Sequence, residues 1–333
     1  MDPRKNNLPK EFIYSRLHSL TGLLIVIFLF EHLLTNSQAA LFFGDDGAGF
    51  VRMVNFIHDL PFLQVIELTF IGVPIAYHAV IGIRKAIYGR SNSFGSTEGT
   101  KPYMPYTRSR AYTYQRWTAW ILLVGIILHV ANFRFYLYPA EAKEGNKRLF
   151  FTRVYFDKGL YTLQDRLGFS LYNAGQIEEY KQALDKETAQ QALVDQRLKE
   201  LDANGSQYNL EASELGKEKL KVIEMEDFYS GLTKRELHED QVILVTSSFG
   251  TSQLMNVRDV FKSPIKAILY TIFVLAAVFH GFNGLWAFTI TWGLVVKQIS
   301  QRRMLKICVG LMFLLGFMGL SSVWGTYWIN LRS

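Results

Sequence analysis

The stretch PIKAILYTIFVLAAVFHGFNGLWAFTITWGLVVK, residues 264–297, decides the fold of this chain. Between Ala267 and Val296, His280 is the one residue that titrates near neutral pH. About 20 consecutive apolar residues cross the hydrocarbon core of a bilayer as a helix, so the stretch predicts a membrane span. A histidine within such a span is costly in lipid, and we expect it to face the interior of a helix bundle.

Four further apolar runs predict four more spans, at residues 15–36, 61–83, 116–133 and 307–329. A polar segment, 138–262, separates the third span from the fourth. The chain is therefore predicted to be an all-α membrane protein, a bundle of five transmembrane helices. Residues 1–137 hold helices one to three, 138–262 form a long, mainly helical insertion outside the membrane, and 263–333 hold helices four and five.

The insertion has the character of a soluble segment. Apolar residues recur at roughly helical spacing in 176–203, and a second helix is predicted for 209–226. Asn204-Gly205 breaks the pattern between them, which predicts a helical hairpin. Residues 241–246 predict a short strand. No catalytic constellation is evident in this segment.

The distribution of charge predicts how the chain lies in the membrane. The net charge is +7, but the insertion is net acidic, and the excess of Lys and Arg lies in short segments beside the apolar runs. This is the pattern that fixes membrane orientation, and it argues against nucleic acid as a partner. We expect a multi-pass protein of the cell inner (cytoplasmic) membrane, with the N-terminus cytoplasmic and both the insertion and the C-terminus outside. The polar N-terminus lacks a cleavable signal pattern.

Each of four spans carries one histidine: His32, His78, His129 and His280. At about 1.5 Å of rise per residue, His32 and His129 lie toward the outer face on ascending helices. His78 lies near the inner end of a descending helix, and His280 lies at a central to inner depth. The depths predict two pairs, His32 with His129 and His78 with His280.

Two imidazoles from facing helices at one depth make a bis-histidine site for haem. Both axial positions are then filled, so the iron transfers single electrons rather than binding oxygen or substrate. The haems would be two non-covalent haem b groups, since the chain has no Cys-x-x-Cys-His motif. The single cysteine, Cys308, excludes a disulfide framework and an iron–sulfur cluster held by this chain alone.

The residues around these histidines match a known family. The chain resembles the dihaem cytochrome b membrane anchor of succinate:quinone oxidoreductases (succinate dehydrogenase and fumarate reductase), of the single-subunit, five-helix type. His-Gly-Phe-Asn-Gly-Leu-Trp is the most specific piece, and the insertion departs from the family's short outer loop. The matching stretches are Arg16-Leu-His-Ser-Leu-Thr-Gly22, Glu31-His32-Leu, Leu60-Pro61-Phe, Tyr77-His78-Ala-Val-Ile-Gly82, Gln115-Arg116, Leu128-His129-Val, Phe279-His280-Gly-Phe-Asn-Gly-Leu-Trp286 and Thr291-Trp292-Gly293.

The resemblance implies partners and a path for electrons. A flavoprotein subunit and an iron–sulfur subunit would dock on the cytoplasmic face, and succinate chemistry would occur there, so this chain would not be catalytic alone. Electrons would pass to the inner haem, to the outer haem and then to a quinone of the menaquinone type. The direction, succinate oxidation or fumarate reduction, stays open because one scaffold serves both.

The resemblance also implies site residues. Candidates for the propionates of the inner haem lie at the inner ends of spans one and three: Arg16, His18, Ser19 and Arg116. The alternative for each arginine is anchoring by the positive-inside rule. Quinone needs groups that exchange protons; the candidates at the outer end are His58, Asp59, Glu67 and Glu31. The alternative for each of these four is a structural hydrogen-bonding role.

Two other functions compete with this one. The chain could anchor a different dihaem cytochrome b oxidoreductase, such as a formate or hydrogen dehydrogenase, although the match around His280 argues against it. A non-redox transporter could use the four histidines as a proton relay. Membrane lipid is a partner under every interpretation.

Overall fold

The computed structural model describes residues 8–40, 47–89, 104, 107–203 and 210–331. Five of its helices are long and apolar enough to cross a membrane, which confirms the predicted membrane protein as mostly all-α. They are Lys10–Ala40, Leu63–Tyr88, Arg108–Tyr136, Pro264–Thr291 and Gln298–Asn330. We refer to them as the first to fifth spans. The first, third and fifth begin several residues before the apolar runs, because backbone hydrogen bonding continues into their polar ends.

The fourth span ends at Thr291, six residues before the end of the apolar stretch. Gly293 has φ +70°, a left-handed conformation that glycine adopts without steric cost. The N–H of Gly293 donates to the carbonyl of Ile290, and the N–H of Leu294 donates to the carbonyl of Thr289. These two bonds form a Schellman motif, which satisfies carbonyls at the end of the helix.

Three spans contain a π-helical segment: Leu68–Gly72, Ala131–Tyr136 and Ser321–Gly325. The first lies just before Pro74. A proline has no N–H to donate to the carbonyl four residues earlier, here residue 70, so the local change of helix register has a physical cause.

One compact unit comprises Met1–Asn132 and Phe261–Asn330. The first span packs against the second and the fourth, the third packs against the fourth, and the second meets the third more lightly. Spans one to four thus form a ring in chain order, in which the first faces the third and the second faces the fourth. The fifth span packs on the first and fourth, and its core includes Val26, Leu33, Val278, Phe282 and Leu315.

The link between the first and second spans contains a helix that the sequence did not predict, Ala48–His58. It follows Gly47, whose φ of +79° turns the chain into it. Phe50 of this helix is buried.

The second compact unit comprises Phe133–Val260, with Leu331–Ser333. The predicted helical hairpin is confirmed, with helices Ala174–Ala203 and Leu210–Thr233 joined by ion pairs such as Lys219–Asp195. The predicted strand is also confirmed as Gln241–Thr246. Asn204-Gly205 lies outside the described residues.

This unit also contains structure that the sequence did not predict. The unit has four strands: β1 Ala140–Glu144, β2 Lys147–Tyr155, β3 Ser170–Tyr172 and β4 Gln241–Thr246. They form one antiparallel sheet in the order β1-β2-β4-β3. Two more helices, Gly159–Leu167 and Phe249–Val260, complete the unit. Strand β2 is buried on both faces, Phe151 against Leu232 and Thr152 against Ser252. A strand covered on both faces lacks the alternating pattern that marks a half-exposed strand.

Candidate functional site

The four histidines of the spans meet in two pairs inside the first unit. The ring centroids of His32 and His129 lie 5.7 Å apart, with an interplanar angle of 90°. Those of His78 and His280 lie 6.2 Å apart, with an angle of 76°. Each pair spans a diagonal of the four-helix ring: the first joins spans one and three, and the second joins spans two and four.

Hydrogen bonds orient the His78–His280 pair. Nδ1 of His78 lies 3.0 Å from the backbone carbonyl of His18, which can only accept, so Nδ1 carries the proton. Nδ1 of His280 lies 3.2 Å from the Thr118 hydroxyl, whose own proton goes to the carbonyl of Tyr114 at 2.8 Å. In both neutral imidazoles the lone pair is therefore on Nε2, the nitrogen left for a metal.

Aromatic residues surround the His32–His129 pair. Nδ1 of His129 lies 3.2 Å from the hydroxyl of Tyr270, and the ring of Phe273 lies 5.9 Å from the His129 ring. The ring of Phe28 lies 5.3 Å from that of His32. The Tyr270 contact ties the third span to the fourth at this level.

The two pairs lie at different levels of the bundle, and three helices agree on their separation. On the third span, Thr118 beside His280 and His129 are eleven residues apart, or about 16 Å. On the fourth span, His280 and Tyr270 are ten residues apart, or about 15 Å. On the first span, Thr21 lies 3.5 Å from His78, and His32 follows after eleven residues.

The residues fit bis-histidine haem on three observations. Metal–imidazole bonds of about 2 Å on opposite sides of one iron place the two ring centroids roughly 6 Å apart, as both pairs are. Two glycines let a helix backbone lie close to the rings at each level. A Cβ on Gly22 would lie 2.9 Å from Cε1 of His78, and one on Gly125 would lie 2.4 Å from the ring of Phe273. Nδ1 of His18 and the hydroxyl of Tyr77 are buried without a hydrogen-bond partner among the described residues.

Within the part of the chain that the structure describes, no group of three or more His, Cys, Asp or Glu converges as a metal site. A porphyrin supplies four nitrogens to its iron, so two protein ligands complete six-fold coordination. Two histidines for each iron are what that chemistry needs.

The four propionate candidates lie at the His78 end of the bundle. Arg16 donates to the carbonyl of Thr291 and lies 5.3 Å above the ring of Trp292, so it joins spans one and four. Arg116 donates to the carbonyl of Ala86 at 3.2 Å and joins spans three and two. His18 stacks on the ring of His78, with centroids 3.9 Å apart and planes 17° apart. Ser19 follows it and is half-buried.

The quinone candidates occupy three separate places in the chain. Nδ1 of His58 lies 3.3 Å from Oδ1 of Asp59, whose side chain is 79% exposed. Glu31 accepts a hydrogen bond from Thr35 at 2.8 Å, one turn along the first span. Glu67 is half-buried at the residue before the π segment of the second span.

Sequence reasoning assigned no role to several polar residues that support the pairs. Thr118 and Tyr270 contact His280 and His129. Gln115 donates to the carbonyl of His280 at 3.0 Å and accepts from Asn283 at 2.8 Å. The sequence shows that these polar residues lie inside apolar spans. That predicts side chains directed into the bundle, but it does not predict which residue each one contacts.

Comparison with curated proteins finds a similarity to a cytochrome b subunit. The chain is 35% identical over 122 residues to the succinate dehydrogenase cytochrome b558 subunit of Bacillus subtilis (strain 168). The matched part is 36% of this chain and 54% of the relative, so the chain spans about half the length of the relative it matches. No family model matches the chain, and no solved structure matches it significantly. The similarity supports the resemblance to cytochrome b subunits of succinate dehydrogenase.

Proposed function

We propose that this chain is the membrane anchor of a succinate:quinone oxidoreductase and transfers electrons to a quinone through two b-type haems. One observation carries the proposal: two histidine pairs cross the two diagonals of the four-helix ring at levels about 15 Å apart. The name of the Bacillus subtilis relative, a succinate dehydrogenase cytochrome b558 subunit, gives independent support.

The chain's own residues hold and orient the proposed centres. His78 and His280 would hold one haem iron through Nε2, and His32 and His129 would hold the other. The carbonyl of His18 and the hydroxyl of Thr118 fix the tautomer at the first centre. When bound, such haems would supply one-electron transfer, because the two histidines would leave the iron no site for another ligand.

Partners and substrate follow from the same proposal. A flavoprotein subunit and an iron–sulfur subunit dock at the end of the bundle that carries Arg16 and Arg116, which faces the cytoplasm. A quinone, of the menaquinone type, binds toward the other end, where Asp59, Glu67 and Glu31 supply groups that exchange protons. Cationic and hydroxyl side chains at the first end, among them Ser19, suit the carboxylates of the haem propionates.

The experiment is a haem count on the full chain purified from membranes. The expected result is a b-type signal in the reduced-minus-oxidised spectrum, with two haems per chain and two steps in a redox titration. Co-purification of a flavin-bearing partner that oxidises succinate identifies the complex. A chain without any b-type signal would contradict the proposal and favour the proton relay. Two haems with a partner that oxidises another substrate would place the chain in a different oxidoreductase.

A further inference from the structure

Guanidinium groups are concentrated around the last turn of the third span. Arg153 of β2 lies with its guanidinium carbon 5.7 Å from the ring centroid of Tyr136. Arg235, which follows the hairpin, lies 5.6 Å from the same centroid. Arg134 lies 5.2 Å above the ring of Tyr138. We call Tyr136, Arg153 and Arg235 the Tyr136 cluster; all three belong to the second compact unit.

The contacts of the two arginines leave their charge uncompensated. Arg153 donates to the hydroxyl of Tyr136 at 2.8 Å and to the backbone carbonyl of Glu236 at 2.6 Å. Arg235 donates from Nη2 to the carbonyl of Tyr138 at 3.0 Å and to a second carbonyl of that segment at 3.1 Å. None of these acceptors is a carboxylate. Among the described residues, neither arginine forms an ion pair with a carboxylate.

The two guanidiniums also act on each other. Partial burial, and then the positive charge of Arg153, lower the pKa of Arg235, and Tyr136 opposes the shift. Two like charges held close together are stabilised by an anion placed between or beside them. A guanidinium has five N–H donors, and the bonds above leave several of them available to a ligand.

The position of the cluster indicates which anion is near. Tyr136 is the last residue of a helix long enough to cross the bilayer, so we expect its ring at the level of the lipid headgroups. Phe135 and Tyr136 are 72% and 57% exposed, as is typical of aromatic residues in the interfacial belt. Phosphate is the most abundant anion at that depth, and the guanidinium fork matches its geometry.

We propose that the Tyr136 cluster binds the phosphate group of an anionic phospholipid, with Arg153 and Arg235 as the two cationic ligands. Each arginine presents N–H groups to the phosphate oxygens, and the exposed aromatic rings contact the glycerol and upper acyl region. The site belongs to the second compact unit and does not depend on haem or on quinone.

The test is native mass spectrometry of the full chain in detergent, titrated with a short-chain phosphatidylglycerol. The double variant Arg153→Gln/Arg235→Gln is expected to bind this lipid about ten-fold more weakly, since a charge-assisted hydrogen bond contributes more than 1 kcal/mol. Arg148→Gln removes the same charge from an exposed position of the same strand and is the matched control, with unchanged affinity expected. Wild-type affinity in the double variant would overturn the proposal.

Further measurements distinguish an anionic phospholipid from a neutral phospholipid and from free phosphate. A single variant tests whether misfolding explains the loss of binding. Short-chain phosphatidylcholine is expected to bind more weakly than phosphatidylglycerol. Equal binding of the two lipids would overturn the assignment of an anionic phospholipid as the ligand. Inorganic phosphate at equal concentration is expected to leave the lipid bound; displacement would assign the cluster to free phosphate instead. Arg153→Gln alone keeps the carbonyl bonds of Arg235, and we expect it to weaken lipid binding while the circular dichroism stays that of the wild type.

Discussion

Nδ1 of His280 on the fourth span lies 3.2 Å from the hydroxyl oxygen of Thr118 on the third span. The hydroxyl proton is directed to the carbonyl of Tyr114, one turn earlier, at 2.8 Å. His280 is therefore the donor in this contact, and its Nε2 carries the lone pair. One side chain that the sequence did not single out thus fixes which nitrogen of the proposed ligand faces the centre of the bundle.

Replacing Thr118 by valine removes this acceptor at nearly constant volume. We expect Thr118→Val to weaken haem binding at the His78–His280 centre by about ten-fold or more, because a lost orienting hydrogen bond costs that much affinity at a metal site. Haem loss to a scavenger protein measures it, and the midpoint potential of that centre is expected to shift. Thr118→Ser keeps the hydroxyl and serves as the control; equal haem retention in the valine and serine variants would contradict the orienting role.

Replacing one histidine of a pair should empty one centre and leave the other. We expect His78→Ala and His280→Ala each to remove one and the same haem, and His32→Ala and His129→Ala to remove the other, because a single imidazole holds the iron weakly. The haem-to-protein ratio and the redox titration measure this. His238→Ala, an exposed histidine of the insertion, is the control. Two haems retained in any of the four variants would refute the proposed pairing.

Gly22 is packed against the His78 ring, and a Cβ there would lie 2.9 Å from Cε1. The ring cannot move freely, because the carbonyl of His18 holds its Nδ1 at 3.0 Å. We expect Gly22→Ala to destabilise the chain by about 1–3 kcal/mol and to lower haem content, since overpacking forces a displacement. Thermal unfolding followed by haem absorbance measures both effects. Gly310→Ala on the fifth span, with open space around its Cβ, is the control and should behave as the wild type.

Asp157 and Arg258 form a bidentate ion pair inside the second unit, at 2.6 and 2.8 Å, and the side chain of Arg258 is 7% exposed. We expect Asp157→Asn to destabilise this unit by about 3–5 kcal/mol, because it removes the carboxylate that compensates a buried charge. Limited proteolysis against temperature measures it. Glu214→Gln breaks an exposed pair with Lys217 and should cost at most about 1 kcal/mol. A loss of equal size in both variants would show that burial of the Arg258 pair has no energetic consequence.

The carboxylates assigned to quinone should matter for turnover but not for haem. We expect Asp59→Asn and Glu67→Gln to keep both haems and to lower the rate of electron transfer between succinate and quinone at least about ten-fold, because an amide does not exchange the proton. The rate is measured in the complete complex, with Glu200→Gln of the hairpin as control. Unchanged kinetics in both variants would move the quinone site to the opposite end of the bundle, near Ser19.

The sequence predicts much of the fold because its signals are local. The length of each apolar run predicts each span, and the helical spacing in 176–203 predicts a helix that the structure places at Ala174–Ala203. It does not predict strand β2, because burial on both faces removes the alternating pattern, or the helix Ala48–His58 in the first link. The π segments also have no local signature apart from Pro74.

The candidate site divides in the same way. A histidine inside an apolar span must face protein, so the sequence by itself identified His32, His78, His129 and His280 and sorted them by depth. Depth along a helix says nothing about rotation around it or about which helix lies opposite. Packing between residues far apart in the chain determines the ring of spans and the two histidine pairs across it. The same packing determines the contacts of Thr118 and Tyr270, so only the tertiary structure decided these features.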